Sequence, residues 1–344
     1  MKSKVSPGRA GLMGASFGAL SLVALVLGAC APAGAEGAAG GSYDAGPALA
    51  TETATPAPHP YSLEGLAARA WGAGPDPVVI ELLGLVRGAR TSVIEYESDG
   101  NRVRALLQTP DRDPPPGGFP VVLMAHGHVP PAEWSTEGSY IFPSSGYAAR
   151  GFLVLKPDYR GHGKSGGVAE GAFRTVEYTI DVMELLAKVP AIPGADPARV
   201  YLYGHSMGGE VALRVLALSD AVKAASLWAA VTEPFPENTL HYLRKRNPAQ
   251  AGETLARIRA ELGSVPFAAF SPVDNLALVE EPLIVHHGTA DDSVPYAWAA
   301  PFRARLDAAG VAYAFHEYPG EDHNISRSFN RVLDRDAAFF RSVP

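Results

Sequence analysis

One serine stands between glycines in "YLYGHSMGGEVALRV", where Gly204, Ser206 and Gly208 form a Gly-x-Ser-x-Gly pattern. A serine hydroxyl is a weak nucleophile at neutral pH. It needs a base to take its proton and a carboxylate to hold that base in the right tautomer. Both groups are expected downstream. "PLIVHHGTADDSVP" offers Asp291 and Asp292, and "YPGEDHN" offers His323. The chemistry of Ser206, Asp291 and His323 together would be acyl transfer through a covalent intermediate. Such a reaction also needs donors for the oxyanion. The backbone N–H of Met207, directly after the serine, is one. The loop after "VVLMAHG" should supply the other, taken as the N–H of His128 with Val129 as the fallback.

These groups work only if strands and helices aim them. "RVYLY" reads as a strand and "EVALRVLAL" as a buried helix, so Ser206 sits at a tight strand-to-helix reversal where its neighbours must be small. "FPVVLMAHG", "GFLVLKPDY", "VKAASLWAAV", "EPLIVHHG" and "VAYAFHEYPG" are further short strand-like runs. "TSVIEYES" and "RVRALLQTP", joined through Asp99-Gly100-Asn101, read as an opening hairpin. Phe173, Val176, Ile180, Met183 and Ala187 recur at helical spacing, as do Phe329, Val332, Leu333, Ala337 and Phe340; both sets read as core faces. The alternation predicts an α/β fold with a mostly parallel central sheet flanked by helices. About residues 232–271 interrupt it, with Leu255, Ile258 and Leu262 on one helical face, and should form a small helical cap. The chain order Ser206, Asp291, His323 is that of α/β hydrolases and differs from the chymotrypsin and subtilisin layouts.

Other chemistry is weaker. In "PDYRGHGKSGG", Tyr159 is a candidate to touch substrate, whereas Asp158 and Arg160 read as braces of the loop. Val129 is the second candidate for the pocket wall. The glycines of this segment lack phosphate-loop spacing, which argues against a nucleotide site. His126, His128 and His287 sit beside glycines at two different strand ends without helical His-x-x-x-His spacing, so neither a metal nor a cofactor is expected.

The chain has 344 residues, 47% hydrophobic and 19% charged, with a formal net charge of -7. The one dense basic run, Arg244-Lys245-Arg246, reads as a solvated helix face, which argues against nucleic-acid binding. A single cysteine, Cys30, rules out an intramolecular disulfide. Lys2, Lys4 and Arg9 precede an uncharged apolar run, Gly11 to Leu27, which ends in Leu27-Gly28-Ala29-Cys30. That tetrapeptide resembles the bacterial lipobox, in which the cysteine is lipidated after cleavage. A plain secretory signal or a retained membrane helix are the other readings. From Ala31 to about Pro60 the chain is rich in Ala, Gly, Pro and Thr, a composition that cannot offset its ordering entropy; it reads as a disordered tether. Residues 1–30 are thus expected as a lipoprotein signal, 31–60 as the tether and 61–344 as the hydrolase-like domain. This arrangement predicts an extracytoplasmic protein held at a bacterial membrane.

The fragments "HGTADDSVP", "EDHN", "GHSMGG" and "PDYRGHGKSGG" resemble the catalytic domain of prolyl-oligopeptidase-like serine hydrolases, a group that grades into bacterial esterases. The resemblance covers about Val93 to the C-terminus. It implies that Asp291, the first aspartate of its segment, is the acid and that Asp292 is a neighbour or helix cap. Members that cleave oligopeptides carry a large propeller domain, for which the stretch between tether and hairpin is too short. His205 and Met207 around the serine look more like lipases and esterases. A carboxylic ester is therefore the first expectation for the substrate, and a short peptide or acyl-aminoacyl compound the second. A catalytically silent binding lipoprotein is the reading from another class.

Overall fold

A computed structural model of the protein describes residues 57–169 and 174–343. Cys30, the apolar run before it, most of the tether and Phe173 lie outside the described residues. The elements run α1 (Leu63–Ala67), β1 (Val78–Val86), β2 (Ala89–Ser98), β3 (Asn101–Pro110), β4 (Phe119–Ala125), α2 (Ile141–Ala149), β5 (Leu153–Pro157) and α3 (Arg174–Ala187). They continue with β6 (Ala195–His205), α4 (Met207–Leu216), β7 (Val222–Trp228), α5 (Glu237–Arg246), α6 (Pro248–Leu262), β8 (Leu283–Gly288), α7 (Ala299–Ala309), β9 (Tyr313–Tyr318) and α8 (Phe329–Ser342).

The strands form a single sheet in the order β1-β2-β3-β5-β4-β6-β7-β8-β9. Pairing is antiparallel from β1 to β5 and parallel from there to β9. The parallel centre is covered on both faces, so every residue of β5 and β8 is buried, and each opens with three apolar residues, Leu153–Leu155 and Leu283–Val285, before Lys156 or His286 and His287 at its end. One face packs against α3 and α4, the other against α2 and α8. The hairpin expected at Asp99-Gly100 is present. Both residues have positive φ, as a tight two-residue hairpin requires, and the register runs unbroken from Ala89↔Pro110 to Ser98↔Asn101.

Two features depart from the sequence reading. The sheet begins one strand earlier, at β1, whose Val78, Val79, Ile80, Leu82 and Leu85 are all exposed. An apolar run that buries neither face carries no alternation to betray a strand. Register shifts at Val79/Glu81 and Leu82/Gly84 interrupt this edge strand. In α3, Val176, Ile180 and Met183 are buried as expected, but Ala187 is exposed at the end of the helix. In α8, Val332, Leu333, Ala337 and Phe340 are buried and Phe329 is half-buried.

The interruption between β7 and β8 is a helical pair, α5 and α6. Asn247 caps α6 by accepting the Gln250 N–H at 3.3 Å, and Pro248 fills the first helical position. Ile258 and Leu262 are buried against Leu66, Val176, Ile180, Phe235 and Phe270, whereas Leu255 is only half-buried. Tyr242 of α5 packs on Val231, Val294 and Trp298, which follow the ends of β7 and β8. Behind this pair, α4 is buried from Gly208 to Leu216, including Glu210 and Arg214. Their charges meet at 2.7 Å, and Arg214 also donates to the Phe270 carbonyl at 3.1 Å. The pair thus ties the exit of the inserted segment to the helix that follows Ser206.

Candidate active site

Ser206 occupies the turn between β6 and α4 with φ 57 and ψ -123, a conformation that costs a non-glycine residue roughly 1–3 kcal/mol. The surroundings impose it. The Ser206 N–H donates to Trp228 O at 3.0 Å, and its carbonyl accepts from Gly209 N–H and Val231 N–H, each at 2.9 Å. Helix α4 can start this abruptly because Gly208 lies against the Ala125 carbonyl, where a β-carbon would collide with backbone. Gly127 is equally constrained: a β-carbon there would stand 2.9 Å from Ser206 Cβ and 2.5 Å from the Tyr140 hydroxyl. The end of β4 and the serine turn therefore press directly together.

Asp291 and His323 lie in the loops after β8 and β9, as the sequence order predicts. His323 Nδ1 is 2.8 Å from Asp291 Oδ2. The Asp291 side chain has no exposed surface, whereas Asp292 is exposed and accepts from the Ser293 hydroxyl at 3.1 Å. Of the two aspartates, the first is thus the one that meets His323. The other oxygen, Asp291 Oδ1, accepts the N–H groups of Ser293 and Val294, each at 2.9 Å. Burial alone would raise the Asp291 pKa, but hydrogen bonds from His287 and His323 outweigh it and hold the carboxyl well below its ordinary range. His287 was passed over in the sequence as a strand-end histidine; its Nε2 lies 3.2 Å from Asp291 Oδ2 and 3.2 Å from the Val294 carbonyl. Its spacing of four residues before Asp291 was the available signal.

Met207 is the first residue of α4, so its N–H has no partner within the helix and points out of the N-terminus beside Ser206. In the loop after β4, His128 is exposed and Val129 half-buried, both within two residues of Gly127. The Gly127 N–H itself is taken by the Tyr140 hydroxyl at 2.9 Å.

Tyr159 requires a correction. It is fully buried, its ring is stacked between His126 and Tyr178, and its hydroxyl donates to the His126 carbonyl at 3.2 Å. It supports the end of β4 from behind and has no surface to offer a substrate. Asp158 and Arg160 brace the same region as expected. Arg160 binds Asp181 through its backbone N–H, Nε and Nη2, and Asp158 accepts from the Thr136 hydroxyl. Lys156, also buried, donates to the carbonyls of Thr136 and Ser139. Burial pushes Asp158 up to about 6 and Lys156 down to about 8. Both groups thus carry the 131–140 loop that follows β4. His126 is enclosed by Trp134 and Tyr159, and burial keeps its pKa low. Among the described residues, no group of three or more His, Cys, Asp and Glu side chains could hold a metal ion.

The sheet order, the strained serine between a parallel strand and a buried helix, and the acid–histidine pair after the last two strands define an α/β-hydrolase fold. Residues 140–343, more than half of the chain, match the family model described as the prolyl oligopeptidase family, and the chain belongs to that family. It is 25% identical over 252 residues to a protein named "Probable dipeptidyl-aminopeptidase B" from Ajellomyces capsulatus (strain G186AR), and 24% identical over 247 residues to one of the same name from Metarhizium robertsii. The first match covers 69% of this chain and the second 68%, and each spans only 25% of the relative. Among solved structures, a Mycobacterium tuberculosis puromycin-hydrolyzing peptidase superposes with a TM-score of 0.60 at 21% identity, over 75% of this chain and 40% of that one. Acetyl xylan esterase 1 from Thermoanaerobacterium sp. JW/SL YS485 gives 0.59 at 20% identity, over 77% and 88%. These two likenesses establish the fold.

Proposed function

We propose that this protein is a serine hydrolase that works through an acyl-enzyme, with a carboxylic ester as its substrate. Ser206 Oγ attacks the acyl carbonyl while His323 Nε2 takes its proton. Asp291 holds the imidazole with Nδ1–H directed at its carboxylate and stabilises the imidazolium that forms. The N–H groups of Met207 and His128 receive the tetrahedral oxyanion, and Val129 lines the acyl side. The C–O bond then breaks as His323 returns the proton to the departing alcohol. Water, deprotonated by His323, releases the acid and restores Ser206. The observation that carries this reading is the 2.8 Å contact between His323 Nδ1 and Asp291 Oδ2 beside a serine held at positive φ. A peptide or acyl-aminoacyl substrate is the second reading, favoured by the names of the matched relatives.

A fluorophosphonate probe should label the wild type and not Ser206→Ala, and removing the serine should lower kcat by about 10⁴- to 10⁶-fold. An unlabelled wild type would overturn the enzyme reading in favour of a silent binding protein. Faster turnover of p-nitrophenyl acyl esters than of aminoacyl-p-nitroanilides supports the ester; the reverse supports the peptide. We further propose that lipidated Cys30 tethers the domain outside the cytoplasm. Cys30→Ser should then move the protein from the membrane fraction to the soluble one, and continued membrane retention would refute the lipid anchor. Among the described residues, no helix is long and apolar enough to cross a membrane.

A further inference from the structure

His205, the residue before the serine, has a ring that is 4% exposed and joined at both nitrogens. Its Nδ1 lies 2.6 Å from the Tyr140 hydroxyl, and its Nε2 lies 3.3 Å from the backbone carbonyl of His323. The direction of each bond follows from the first donor. The Gly127 N–H donates to the Tyr140 oxygen, so the one proton of that hydroxyl goes to His205 Nδ1. Neutral His205 then carries its own proton on Nε2 and donates it to the His323 carbonyl. Burial first, and the neighbouring His323 second, press the His205 pKa down to about 3, so the ring stays neutral throughout the working pH range.

This chain of three hydrogen bonds joins the end of β4, the loop before α2, the end of β6 and the loop after β9. Those four segments carry the oxyanion donor, Ser206 and His323. The rings of His205 and His323 are 4.7 Å apart, so the contact is with the base itself. Around His323, the Ala290 N–H holds the Glu321 carbonyl at 3.0 Å and the Ile325 N–H holds that of Asp322 at 3.1 Å. The residue itself is held at its ring by Asp291 and at its carbonyl by His205. Asp291 can aim the imidazole about the side-chain bonds, but the position of the residue's main chain relative to Ser206 is fixed from the other side.

We propose that His205 and Tyr140 are positioning residues for the reaction, setting the distance between Ser206 and His323 through the His323 backbone. The proposal rests on Ser206 and His323 acting as nucleophile and base. It assigns a task to the variable position of the serine motif: a side chain there must accept from a tyrosine and donate to a carbonyl across the site. A misplacement of the base by about 1 Å can cost about 100-fold in rate, so the expected effects fall on acylation and spare substrate affinity.

The test uses the full chain and measures the second-order rate of fluorophosphonate labelling, kcat and KM on p-nitrophenyl acetate, and the melting temperature. His205→Leu should lower labelling and kcat by about 10- to 100-fold with KM within about 3-fold. Tyr140→Phe should lower them by about 10-fold, because it removes the bond that fixes the His205 tautomer. His205→Gln keeps an N–H where Nε2 lay and should recover to within about 3-fold of wild type. The double variant should be no slower than His205→Leu alone, since both substitutions break one chain. Unchanged labelling in His205→Leu with only a lower melting temperature would overturn the proposal and leave a structural bridge. Equal losses in the Gln and Leu variants would overturn it too. If His205→Leu does not fold, Tyr140→Phe against wild type decides alone: a labelling loss of about 10-fold supports the proposal and parity refutes it. An unlabelled wild type would instead defeat the serine hydrolase reading on which the proposal stands.

Discussion

Replacing Asp291 with Asn removes one negative charge and changes almost nothing in volume, so its effect isolates the electronic task of the carboxylate. In the native arrangement all acceptor capacity is in use. Oδ1 takes the N–H groups of Ser293 and Val294, while Oδ2 faces His323 Nδ1 and His287 Nε2. An asparagine keeps one oxygen, and the two backbone donors claim it. Its NH₂ then points at His323 Nδ1, which must become an acceptor, so the imidazole proton moves to Nε2. A base protonated on Nε2, the nitrogen proposed to take the serine proton, cannot do so. The wrong tautomer should lower acylation by about 10³- to 10⁴-fold, equivalent to about 4–5.5 kcal/mol in the barrier. Pre-steady-state turnover of p-nitrophenyl acetate measures this directly, and the fluorophosphonate rate should fall in parallel. A loss smaller than about 10-fold would refute the assignment of Asp291, because an orienting acid of this geometry cannot be that dispensable.

Two further outcomes concern the frame around the site. Arg214→Met strands the buried Glu210 carboxylate and should cost about 3–5 kcal/mol in urea unfolding, whereas adding Glu210→Leu should recover part of that loss; a double variant less stable than the single would contradict this. Asp158 has its pKa raised to about 6, so its charged form is disfavoured in the folded state. The folded protein binds the proton more tightly than the unfolded chain does. This site therefore weakens the fold as pH rises from about 4 to about 6, by about 3 kcal/mol in all. Asp158→Asn should lack that dependence, so its stability relative to wild type should be greater at pH 7 than at about pH 4.5. Paired urea midpoints at the two values check it, and equal differences would refute it.

The central parallel strands were legible because both of their faces are buried, which leaves apolar runs that end in glycine or a polar residue, as β5 and β8 do. The serine turn was legible because close backbone approach demands glycine at fixed spacing. Asp291 and His323 could be found because chain order and strand ends restrict where a base and its acid can stand. β1 could not be read, since its side chains face solvent on both sides and carry no pattern. Tyr159 was misplaced because a tyrosine at a strand end looks alike whether it faces a cleft or packs behind one. Tyr140 left no signal: it lies 13 residues beyond Gly127 in a loop, and only the folded chain brings its hydroxyl to that N–H. His205 was visible as a motif residue, but its partners come from two distant loops.

The strain at Ser206 also sets a limit on how this protein can be improved. Its φ of 57 is one that glycine adopts without steric cost, so Ser206→Gly should fold at least as well as the wild type despite losing the proposed nucleophile. Selection for thermal stability alone would therefore favour loss of the hydroxyl. Any search for a hardier variant has to score turnover alongside melting, because at this one position the two pull in opposite directions.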